Sequence, residues 1–538
     1  MASDTPIDIT PRQRKELLTL FNRYLPDTEV WAYGSRVKWT SRQDSDLDLV
    51  AFSKPDQRTQ VSLLREAFEE SNLPFRVDFF VWDEIPEQFK KNIEAEHVVF
   101  QEKIEQRLTV GWTECMLENC MAAIIDYRGK TPKKRTSGIP LITAKIIKKG
   151  TILPVTEFIA EEDYDSWMRR GIPELGDIVM TTEAPLGEVA QLDGRKVALA
   201  QRVITLRGKP KLLDNTFLKY LMASQFVQHQ LDGRGTGTTV NGIKQSELRR
   251  ITLKFPSFLE QKSIAHILGT LDDKIELNRQ MNATLEAMAQ ALFKSWFVDF
   301  DPVIDNALAA GHPIPEPLHA RAEARKALGD KRKPLPEAIQ KQFPSRFVFN
   351  EEMGWVPEGW ECMQWGSFAK LEYGKSLKGY REGEGSVPVF GTNGKVGLTG
   401  KALCDKEGII IGRKGAYRGV HYSETPFYVI DTAFFLSPLV SLSVKWAYYE
   451  ILRFDINGMD SGSAIPSTSR DDFYSLWSVF PKIGIQDEFD RLISMIYEKK
   501  LFNDSGNTSL SLIRDTLLPK LLSGQLRIPD AEKLIKAI

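Results

Sequence analysis

Two long runs of apolar residues, alternately four and three positions apart, constrain the fold of this chain more than any other feature. The seam positions are Ile264, Leu268, Leu271, Ile275, Asn278, Asn282, Leu285, Ala289, Leu292 and Trp296 in residues 258–300, and Phe489, Leu492, Ile496, Lys499, Asn503, Gly506, Leu510, Ile513 and Leu517 near the C-terminus. This spacing winds one narrow seam along a helix, and such a helix needs a partner helix. We therefore predict that the two runs pair, although two ordinary amphipathic helices in separate cores would show a similar pattern.

The middle of each seam is polar. Asn278 and Asn282 occupy seam positions in the first run, and Asn503 occupies one in the second. A buried asparagine at such a position costs stability but fixes the register of paired helices. The sequence thus predicts a helix pair whose register is set at its polar centre.

Charge is distributed unevenly, although the 538-residue chain has a net charge of only −1. Residues 1–106 contain 14 basic and 20 acidic residues, whereas residues 107–257 contain 23 basic and 16 acidic residues. A basic middle segment favours a polyanionic partner. The length suggests roughly three or four domains, each with enough apolar residues for a core.

The cysteines and the hydropathy pattern indicate the compartment. The four cysteines form no CxxC pair and are too scattered for a disulfide framework, which favours a reducing setting and argues against structural zinc. The sequence contains no signal peptide and no uninterrupted apolar run of about 18 residues. We therefore expect a cytoplasmic protein with no membrane partner.

The N-terminal segment carries a pattern of small and acidic residues beside apolar strands. Gly34 and Ser35 follow a predicted strand at residues 30–33, Asp46 and Asp48 stand two apart on the next strand, and Asp78 lies on a third. Carboxylates two positions apart on a strand point to the same face and repel each other unless a divalent cation lies between them. Magnesium with a nucleotide phosphate is the usual solution, and Gly34 permits close approach of a phosphate.

Over about residues 10–100, this arrangement resembles the minimal nucleotidyltransferase domain of the polymerase-β superfamily. Arg36 and Arg42 also match its pattern, but Trp39 stands where small nucleotidyltransferases commonly have glycine. The resemblance implies nucleotidyl transfer from a nucleoside triphosphate. Its catalytic and metal-binding set would be Asp46, Asp48 and Asp78, and its nucleotide-binding set Gly34, Ser35 and Arg36. Alternatively, the aspartates are surface carboxylates at strand ends, or the domain keeps the fold as an interaction module.

The remainder of the chain repeats one plan. Residues 359–361 match 111–114, residues 387–390 match 139–142, residues 407–411 match 176–180, and Gln486 falls where Gln261 falls. Such self-similarity predicts two related domains. Each half is predicted to be one αβ domain followed by one long helix. The segment between the halves is rich in proline, alanine and charge and contains a helical pattern at 318–328, which is typical of a connector.

Over about residues 107–530, the chain resembles the specificity subunits of Type I restriction-modification systems. The stretches that carry this resemblance are residues 176–188, 237–243, 260–265, 271–275, 295–302 and 518–526. The resemblance implies an α+β multidomain fold: a polymerase-β-like nucleotidyltransferase domain, then two αβ target recognition domains separated by a pair of long antiparallel coiled-coil helices. The predicted segments are 1–106, the nucleotidyltransferase-like domain; 107–257, the first recognition domain; 258–300, a long helix; 301–354, the connector; 355–482, the second recognition domain; and 483–538, a second long helix and tail.

The same resemblance implies a DNA-recognition subunit without catalysis of its own. It would recognise a bipartite double-stranded target with a spacer set by the helices. Two modification subunits would dock on those helices and carry out adenine methylation, and restriction subunits would join them. DNA recognition would need no cofactor, whereas the N-terminal domain would take magnesium and a nucleoside triphosphate. In the alternative hypothesis, the chain is an antitoxin-like nucleotidyltransferase that modifies a partner protein or RNA, with the remainder as a targeting module.

Loops dense in lysine, arginine and small polar residues are the candidates for DNA contact, because cations neutralise phosphates while polar side chains can specify bases. In the first recognition domain these are Lys130, Thr131, Lys133, Lys134, Arg135, Thr143, Lys145, Lys148 and Lys149. In the second they are Lys375, Lys378, Tyr380, Arg381, Asn393, Lys395, Arg413, Lys414, Tyr417 and Arg418. Any one of them could instead be a solvated surface residue.

Overall fold

The structure is a computed structural model that describes residues 7–25, 28–42, 45–53, 57–101, 112–127, 131–235, 241–381, 383, 385–459 and 466–536. The chain forms two compact units. One comprises residues 1–273 and 510–538, and the other comprises residues 274–509. Within the described ranges, no helix is both long enough and apolar enough to span a membrane.

The N-terminal domain is a mixed four-stranded sheet with helices on both faces. Its elements are α1 (Pro11–Tyr24), β1 (Val30–Tyr33), β2 (Leu47–Ala51), α2 (Arg58–Glu69), β3 (Val77–Val81), α3 (Glu87–Ala95) and β4 (Val98–Gln101). The strand order is β3-β2-β1-β4, with β2 parallel to β3 and antiparallel to β1. Helices α1 and α2 pack on one face around Phe21, and α3 covers part of the other through Ile93. Because side chains alternate along a strand, Asp48 lies on the α3 face together with Tyr33 and Val50.

The first recognition domain contains two main sheets and two smaller pairs of strands. Its elements are β5 (Thr113–Met116), α4 (Leu117–Cys120), β6 (Met121–Asp126), β7 (Ile139–Ile142), β8 (Ile147–Lys148), β9 (Thr151–Ile152), β10 (Phe158–Ile159), α5 (Tyr164–Trp167), β11 (Ile178–Thr182), β12 (Leu186–Gln191), β13 (Ala198–Leu199), β14 (Val203–Gly208), α6 (Asn215–Ala223), α7 (Gln225–Arg234), α8 (Gln245–Arg249) and β15 (Thr252–Phe255). A four-stranded sheet has the order β6-β14-β11-β12, a three-stranded sheet has the order β10-β7-β13, and the smaller pairs are β5 with β15 and β8 with β9. The long helix α9 (Phe258–Phe293) follows and ends in a π-helical turn, Lys294–Val298.

The connector is folded rather than extended. It contains α10 (Asp301–Ala310), α11 (His319–Ala327), α12 (Glu337–Gln340) and a hairpin of β16 (Phe347–Asn350) and β17 (Gly354–Pro357). Arg321 on α11 donates two hydrogen bonds, each of 2.7 Å, to the buried carboxylate of Asp301 at the start of α10. This bidentate pair holds α10 against α11, a contact that the composition of the segment did not reveal.

The second recognition domain repeats the strand order of the first. Its elements are β18 (Glu361–Gln364), α13 (Trp365–Phe368), β19 (Ala369–Tyr373), β20 (Val387–Gly391), β21 (Gly394–Thr399), β22 (Gly408–Gly412), β23 (Val420–Ser423), β24 (Tyr428–Val429), β25 (Ala433–Pro438), α14 (Val444–Ile451), α15 (Arg470–Ser475) and β26 (Trp477–Phe480), and it is followed by α16 (Ile483–Leu522) and α17 (Ile528–Lys536). The sheets are β19-β25-β22-β23 and β21-β20-β24. The predicted α+β class, with a long helix after each of two related domains, is confirmed.

A buried glutamine makes equivalent hydrogen bonds to the backbone in each half. The Gln261 side chain accepts the backbone N–H of Asp214, the residue that caps α6, at 2.9 Å and donates to the carbonyl of Pro256. Gln486 accepts the backbone N–H of Ser443, which caps α14, at 3.0 Å and donates to the carbonyl of Pro481. Each long helix is thereby joined to its own recognition domain at the start of a second helix.

The two long helices pair through their polar centres, as their seams predicted. Within residues 274–509, Asn278 donates to Asn507 at 2.9 Å, Asn503 donates to Asn282 at 2.8 Å, and Lys500 pairs with Glu286 at 2.6 Å. Along these three pairs, the residue number on α16 falls as the residue number on α9 rises, so the helices run antiparallel. The asparagine contacts fix one register, because a shifted register would leave buried amides without partners.

A cluster centred on Asp272 ties the first recognition domain to both helices within residues 1–273 and 510–538. The carboxylate accepts hydrogen bonds of 2.7 Å from Lys219, from the hydroxyl of Tyr220 and from Arg514. Burial raises the pKa of the Asp272 carboxyl, but Lys219 and the donated hydrogen bonds outweigh it, so this pKa lies below its ordinary value.

We expect Asp272→Ala to lower the free energy of unfolding by about 3 kcal/mol, because it leaves the cations of Lys219 and Arg514 without their shared anion. Urea unfolding of the full chain at pH 7 measures this loss. Asp273→Ala is the matched control, since Asp273 is the exposed neighbour on the same helix. Equal stability of the two variants would contradict the assignment of Asp272 as the centre of the cluster.

Candidate nucleotide and nucleic-acid sites

The glycine turn of the N-terminal domain lies directly beside the first catalytic candidate. Gly34 has a φ of +82°, and a Cβ added there would lie 2.2 Å from Oδ2 of Asp48. Any side chain at position 34 would therefore displace the carboxylate. Ser35 is partly exposed in the same turn, and its carbonyl accepts the backbone N–H of Thr40 at 3.0 Å. Glycine is required at position 34 both by its backbone conformation and by this close approach.

Two of the three predicted carboxylates stand side by side. Asp48 on β2 is the direct neighbour of Asp78 in the parallel pairing with β3, so both side chains project from the same face. Asp46 lies just before β2. Burial raises the pKa of Asp48 to about 6, and the charges of Asp78 and Asp46 add to the increase. Burial likewise raises the pKa of Tyr33, the residue paired with Asp48 between β1 and β2, and the charges of Asp48 and Asp78 add to the increase.

The donor set fits a divalent cation by its chemistry. Carboxylate oxygens are the ligands that Mg²⁺ prefers. The pKa of Asp48 is raised mainly by burial and further by the charges of Asp78 and Asp46, and a cation would relieve the repulsion between these charges. Asp78 also contacts Arg76, with 3.1 Å between Nε and Oδ1. Among the described residues, however, no three acidic, histidine or cysteine side chains stand close enough together to enclose a metal ion. The structure thus brings the pair Asp48 and Asp78 together and places Asp46 near them.

Arg36 is a structural residue of this turn and not an exposed nucleotide ligand. Its side chain is buried, donates to the carbonyl of Asp8 at 2.8 Å and to that of Ser45 at 2.7 Å, and stacks over the ring of Phe75. The guanidinium therefore links the chain start, the turn and the approach to β2. This corrects the assignment of Arg36 to nucleotide binding, since the side chain has no free face toward solvent. Asp8 and Phe75, which hold Arg36, carry no sequence signal of this role.

The basic candidates of the first recognition domain lie on separate loops. Lys133, Lys134 and Arg135 are exposed before β7, whereas Lys145 precedes β8 and Lys148 and Lys149 lie at the β8–β9 turn. Lys134 is paired with Glu157 at 2.7 Å. Thr131 is exposed and donates to Gln201. Thr143 is buried, which removes it from the set that could contact a base, and Lys130 lies outside the described residues.

The candidates of the second recognition domain converge more closely. The hydroxyl of Thr392, in the turn between β20 and β21, donates to the carbonyl of Lys414 at 2.8 Å, and its own carbonyl accepts the N–H of Gly419. These bonds bring Asn393 and Lys395 to the same side of the domain as the loop between β22 and β23. Sequence analysis missed Thr392 because a lone threonine in a turn has no distinguishing pattern. Lys375, Lys378, Arg381, Lys395, Lys414 and Tyr417 are exposed, and Tyr380 is partly buried.

Arg418 organises the loop between β22 and β23 from inside. It is buried, donates to the carbonyls of Gly415 at 3.1 Å and Asn457 at 2.6 Å, and its backbone N–H donates to the Asn457 side chain. Its assignment to DNA contact is corrected, because the guanidinium is directed at the protein backbone. The side chain of Arg413 also makes contacts within the protein, since it stacks on Tyr373 and donates to the carbonyl of Asp431.

Comparison with known proteins identifies two families. Residues 125–287 match the Type I restriction modification DNA specificity domain, and residues 12–100 match the Nucleotidyltransferase domain. The chain is 24% identical over 451 residues to the Type I restriction enzyme MjaIX specificity subunit of Methanocaldococcus jannaschii, covering 75% of this chain and 91% of that protein. Its N-terminus is 40% identical over 104 residues to the probable protein adenylyltransferase MntA of Haemophilus influenzae, covering 19% of this chain and 91% of that protein.

Among solved structures, the Type I restriction-modification S subunit from M. genitalium aligns with 76% of this chain and 96% of its own, at a TM-score of 0.43 and 18% identity. The specificity-subunit match covers three quarters of this chain, and the nucleotidyltransferase match is separate from it. The chain therefore contains a Type I restriction modification DNA specificity domain, is similar over most of its length to a Type I specificity subunit, and carries at its N-terminus a domain of the nucleotidyltransferase family.

Proposed function

We propose that this chain is the sequence-specific DNA-binding subunit of a Type I restriction-modification complex and directs adenine methylation and restriction by partner subunits. The observation that carries this proposal is the repeated unit in each half. Two recognition domains with the same strand order are each joined to a long helix by an equivalent buried glutamine. Two related recognition domains suit a bipartite double-stranded target, with a spacer set by the helices.

We further propose that two modification subunits and restriction subunits assemble with this chain in the cytoplasm, and that DNA recognition itself needs no cofactor. The long helices supply a surface for such partners. Within residues 274–509, Leu277, Met288, Met495 and Phe502 are each more than half exposed on α9 and α16. Several large apolar side chains exposed on one pair of helices are typical of a surface that another protein covers.

A second candidate function is nucleotidyl transfer by the N-terminal domain to a partner protein or RNA. The opposed carboxylates of Asp48 and Asp78 beside Gly34 support it, as does the 40% identity to a probable protein adenylyltransferase. Asp46, Asp48 and Asp78 would hold magnesium, which would neutralise the triphosphate, while Gly34 and Ser35 would contact a phosphate. Arg36 would hold the turn that positions them. In a third alternative, the domain is an interaction module without turnover.

Methylome sequencing of a host that expresses this chain with its modification subunit tests the main proposal. We expect one bipartite methylated adenine motif, present also with Asp46→Asn/Asp48→Asn and with residues 1–106 deleted, because recognition depends on the two later domains. Loss of the motif on deletion, with its retention in the aspartate variant, would make the N-terminal domain part of the assembly. Absence of any motif with the full chain would contradict the DNA-recognition proposal.

The loop between β22 and β23 yields a paired prediction. Lys414→Ala removes an exposed cation, so we expect weaker DNA binding and an unchanged melting temperature. The slope of log K against log salt concentration should become shallower by about 1, the value for one lost phosphate contact. Arg418→Ala removes buried hydrogen bonds, so we expect a loss of about 3 kcal/mol in the free energy of unfolding. Salt-dependent DNA binding and urea unfolding measure the two effects. The reverse outcome, with Arg418→Ala fully stable, would contradict its structural assignment.

The raised pKa of Asp48 predicts the pH dependence of magnesium binding. The folded-state pKa of about 6 lies above the ordinary value, so protonation stabilises the metal-free protein at low pH, and this contribution is lost as the pH rises through 6. Magnesium binds the carboxylate, so its affinity should rise about tenfold from pH 5 to pH 7 and level off above.

Titration calorimetry of the full chain measures this magnesium binding. Asp48→Asn should abolish the pH-dependent increase, whereas Asp83→Asn, at an exposed aspartate of the same domain, should retain it. Magnesium affinity that is independent of pH in the unsubstituted chain would argue against Asp48 as a ligand.

A further inference from the structure

Trp39 combines a large exposed aromatic side chain with a backbone conformation that favours glycine. Its φ is +56°, in the left-handed region, and 48% of the residue is exposed. A bulky residue in this region is a genuine outlier and is strained by contact between its Cβ and the backbone. Exposing the indole gives up apolar burial as well. Strained residues cluster at ligand-binding sites, so Trp39 is a candidate for contact with a ligand.

The strained tryptophan lies at the rim of the Gly34 turn. The backbone N–H groups of its two neighbours donate back into the turn, from Lys38 to the carbonyl of Gly34 at 3.2 Å and from Thr40 to the carbonyl of Ser35 at 3.0 Å. Trp39 is therefore held within a few ångströms of the segment that adjoins Asp48. Lys38 pairs with Glu96, the residue after α3, at 2.6 Å, which anchors the rim to the rest of the domain.

The indole ring is left open by the surrounding protein. Among the described residues, no other aromatic ring stacks on Trp39, whereas Trp31 of the same domain stacks on His97 at 3.7 Å and contacts Phe52 and Trp82. An exposed aromatic side chain whose backbone is held beside the Gly34 turn has the features of a platform for a flat ring. Base stacking on an aromatic side chain is favourable for every base, because every base has a π-face.

We propose that Trp39 stacks on the base of the nucleoside triphosphate whose phosphates lie at the Gly34 turn. This proposal rests on the proposed nucleotidyltransferase function of the same site and adds a residue that binds the base. Asp46, Asp48 and Asp78 would hold a metal at the phosphate end, and Trp39 would supply affinity at the opposite end of the ligand. The strain at position 39 would then be retained because the ring is needed at that place.

Two ligands that share the phosphate chemistry and differ in the base separate the two parts of the site. ATP and inorganic tripolyphosphate are each titrated, with magnesium, into the full chain by calorimetry. Trp39→Gly and Trp39→Leu should weaken ATP binding roughly 5- to 100-fold and leave tripolyphosphate binding unchanged, because only ATP carries a base. Trp39→Phe should keep most of the affinity for ATP, since it keeps an aromatic face.

The variants carry their own folding controls. Trp39→Gly should keep or raise the melting temperature, because glycine accepts a positive φ without strain. Leu63→Ala, at an exposed apolar residue on α2, should leave both affinities unchanged. Phe89 is a rival platform, since it is exposed on α3 and its ring lies 6.1 Å from that of Tyr33. A loss of ATP affinity in Phe89→Ala but not in Trp39→Gly would overturn the assignment to Trp39.

Equal effects of Trp39→Gly on ATP and tripolyphosphate, or no effect on either, would also overturn the proposal, and the latter result would point to a protein partner at the rim. If the unsubstituted chain binds neither ligand, the nucleotidyltransferase function fails first and the stacking proposal fails with it. Binding of both ligands with an unchanged Trp39→Gly variant would refute the stacking role alone. The outcomes for the two proposals are therefore distinct.

Discussion

Hydrogen bonds between asparagine side chains at the centre of the helix pair determine the register on which the recognition part of this protein depends. Asn282 with Asn503, and Asn278 with Asn507, can pair in only one alignment of α9 against α16. Leucine at these positions would pack in several alignments with similar energy, whereas a misaligned amide loses its hydrogen bond in a buried setting. The proposed measurement of a spacer by the helices would need this uniqueness more than the stability that apolar residues would add.

The apolar ends of the seam pack into the cores of the recognition domains. Ile264, Leu268 and Leu271 belong to the same core as the helices of the first recognition domain, and Ala289, Phe293 and Trp296 belong to the core of the second. The N-terminal part of the α9 run thus completes the core of the domain that it follows, and the C-terminal part completes the core of the domain that it precedes. Gln261 and Gln486 orient each junction through backbone groups, which are present whatever the side chains of the recognition loops are. The loops can therefore vary between the two domains while the junctions remain the same.

The N-terminal site depends on electrostatic repulsion held in place by the sheet. Parallel pairing of β2 with β3 places the carboxylates of Asp48 and Asp78 on the same face, and the absence of a side chain at Gly34 leaves room for the Asp48 carboxylate. The buried guanidinium of Arg36 stabilises the turn through two backbone carbonyls, of Asp8 and of Ser45. Charge concentrated in this way favours a cation and makes the affinity for it sensitive to pH.

Periodicity and local pattern by themselves determined a large part of this structure. The seam spacing indicated both long helices, the repeated segments indicated two related domains, and the Gly34 to Asp78 pattern indicated the strands that carry the carboxylates. These features depend on residues near each other in sequence or on a regular period, so they can be recognised without a structure. The strained backbone of Trp39 and the cluster around Asp272 could not be recognised in this way.

Only the tertiary structure decided which charged and polar side chains are available to a ligand. Arg36 and Arg418 resemble surface cations in sequence, yet their partners lie 28 and 39 residues away, at Asp8 and Asn457, and both side chains are buried. Thr143 is buried by the packing of its own domain. Lys414, in contrast, is exposed, although it lies in the same loop as Arg418. Burial depends on contacts between segments that are distant in the chain, and for this reason residue type and spacing did not distinguish a ligand-binding side chain from a structural one.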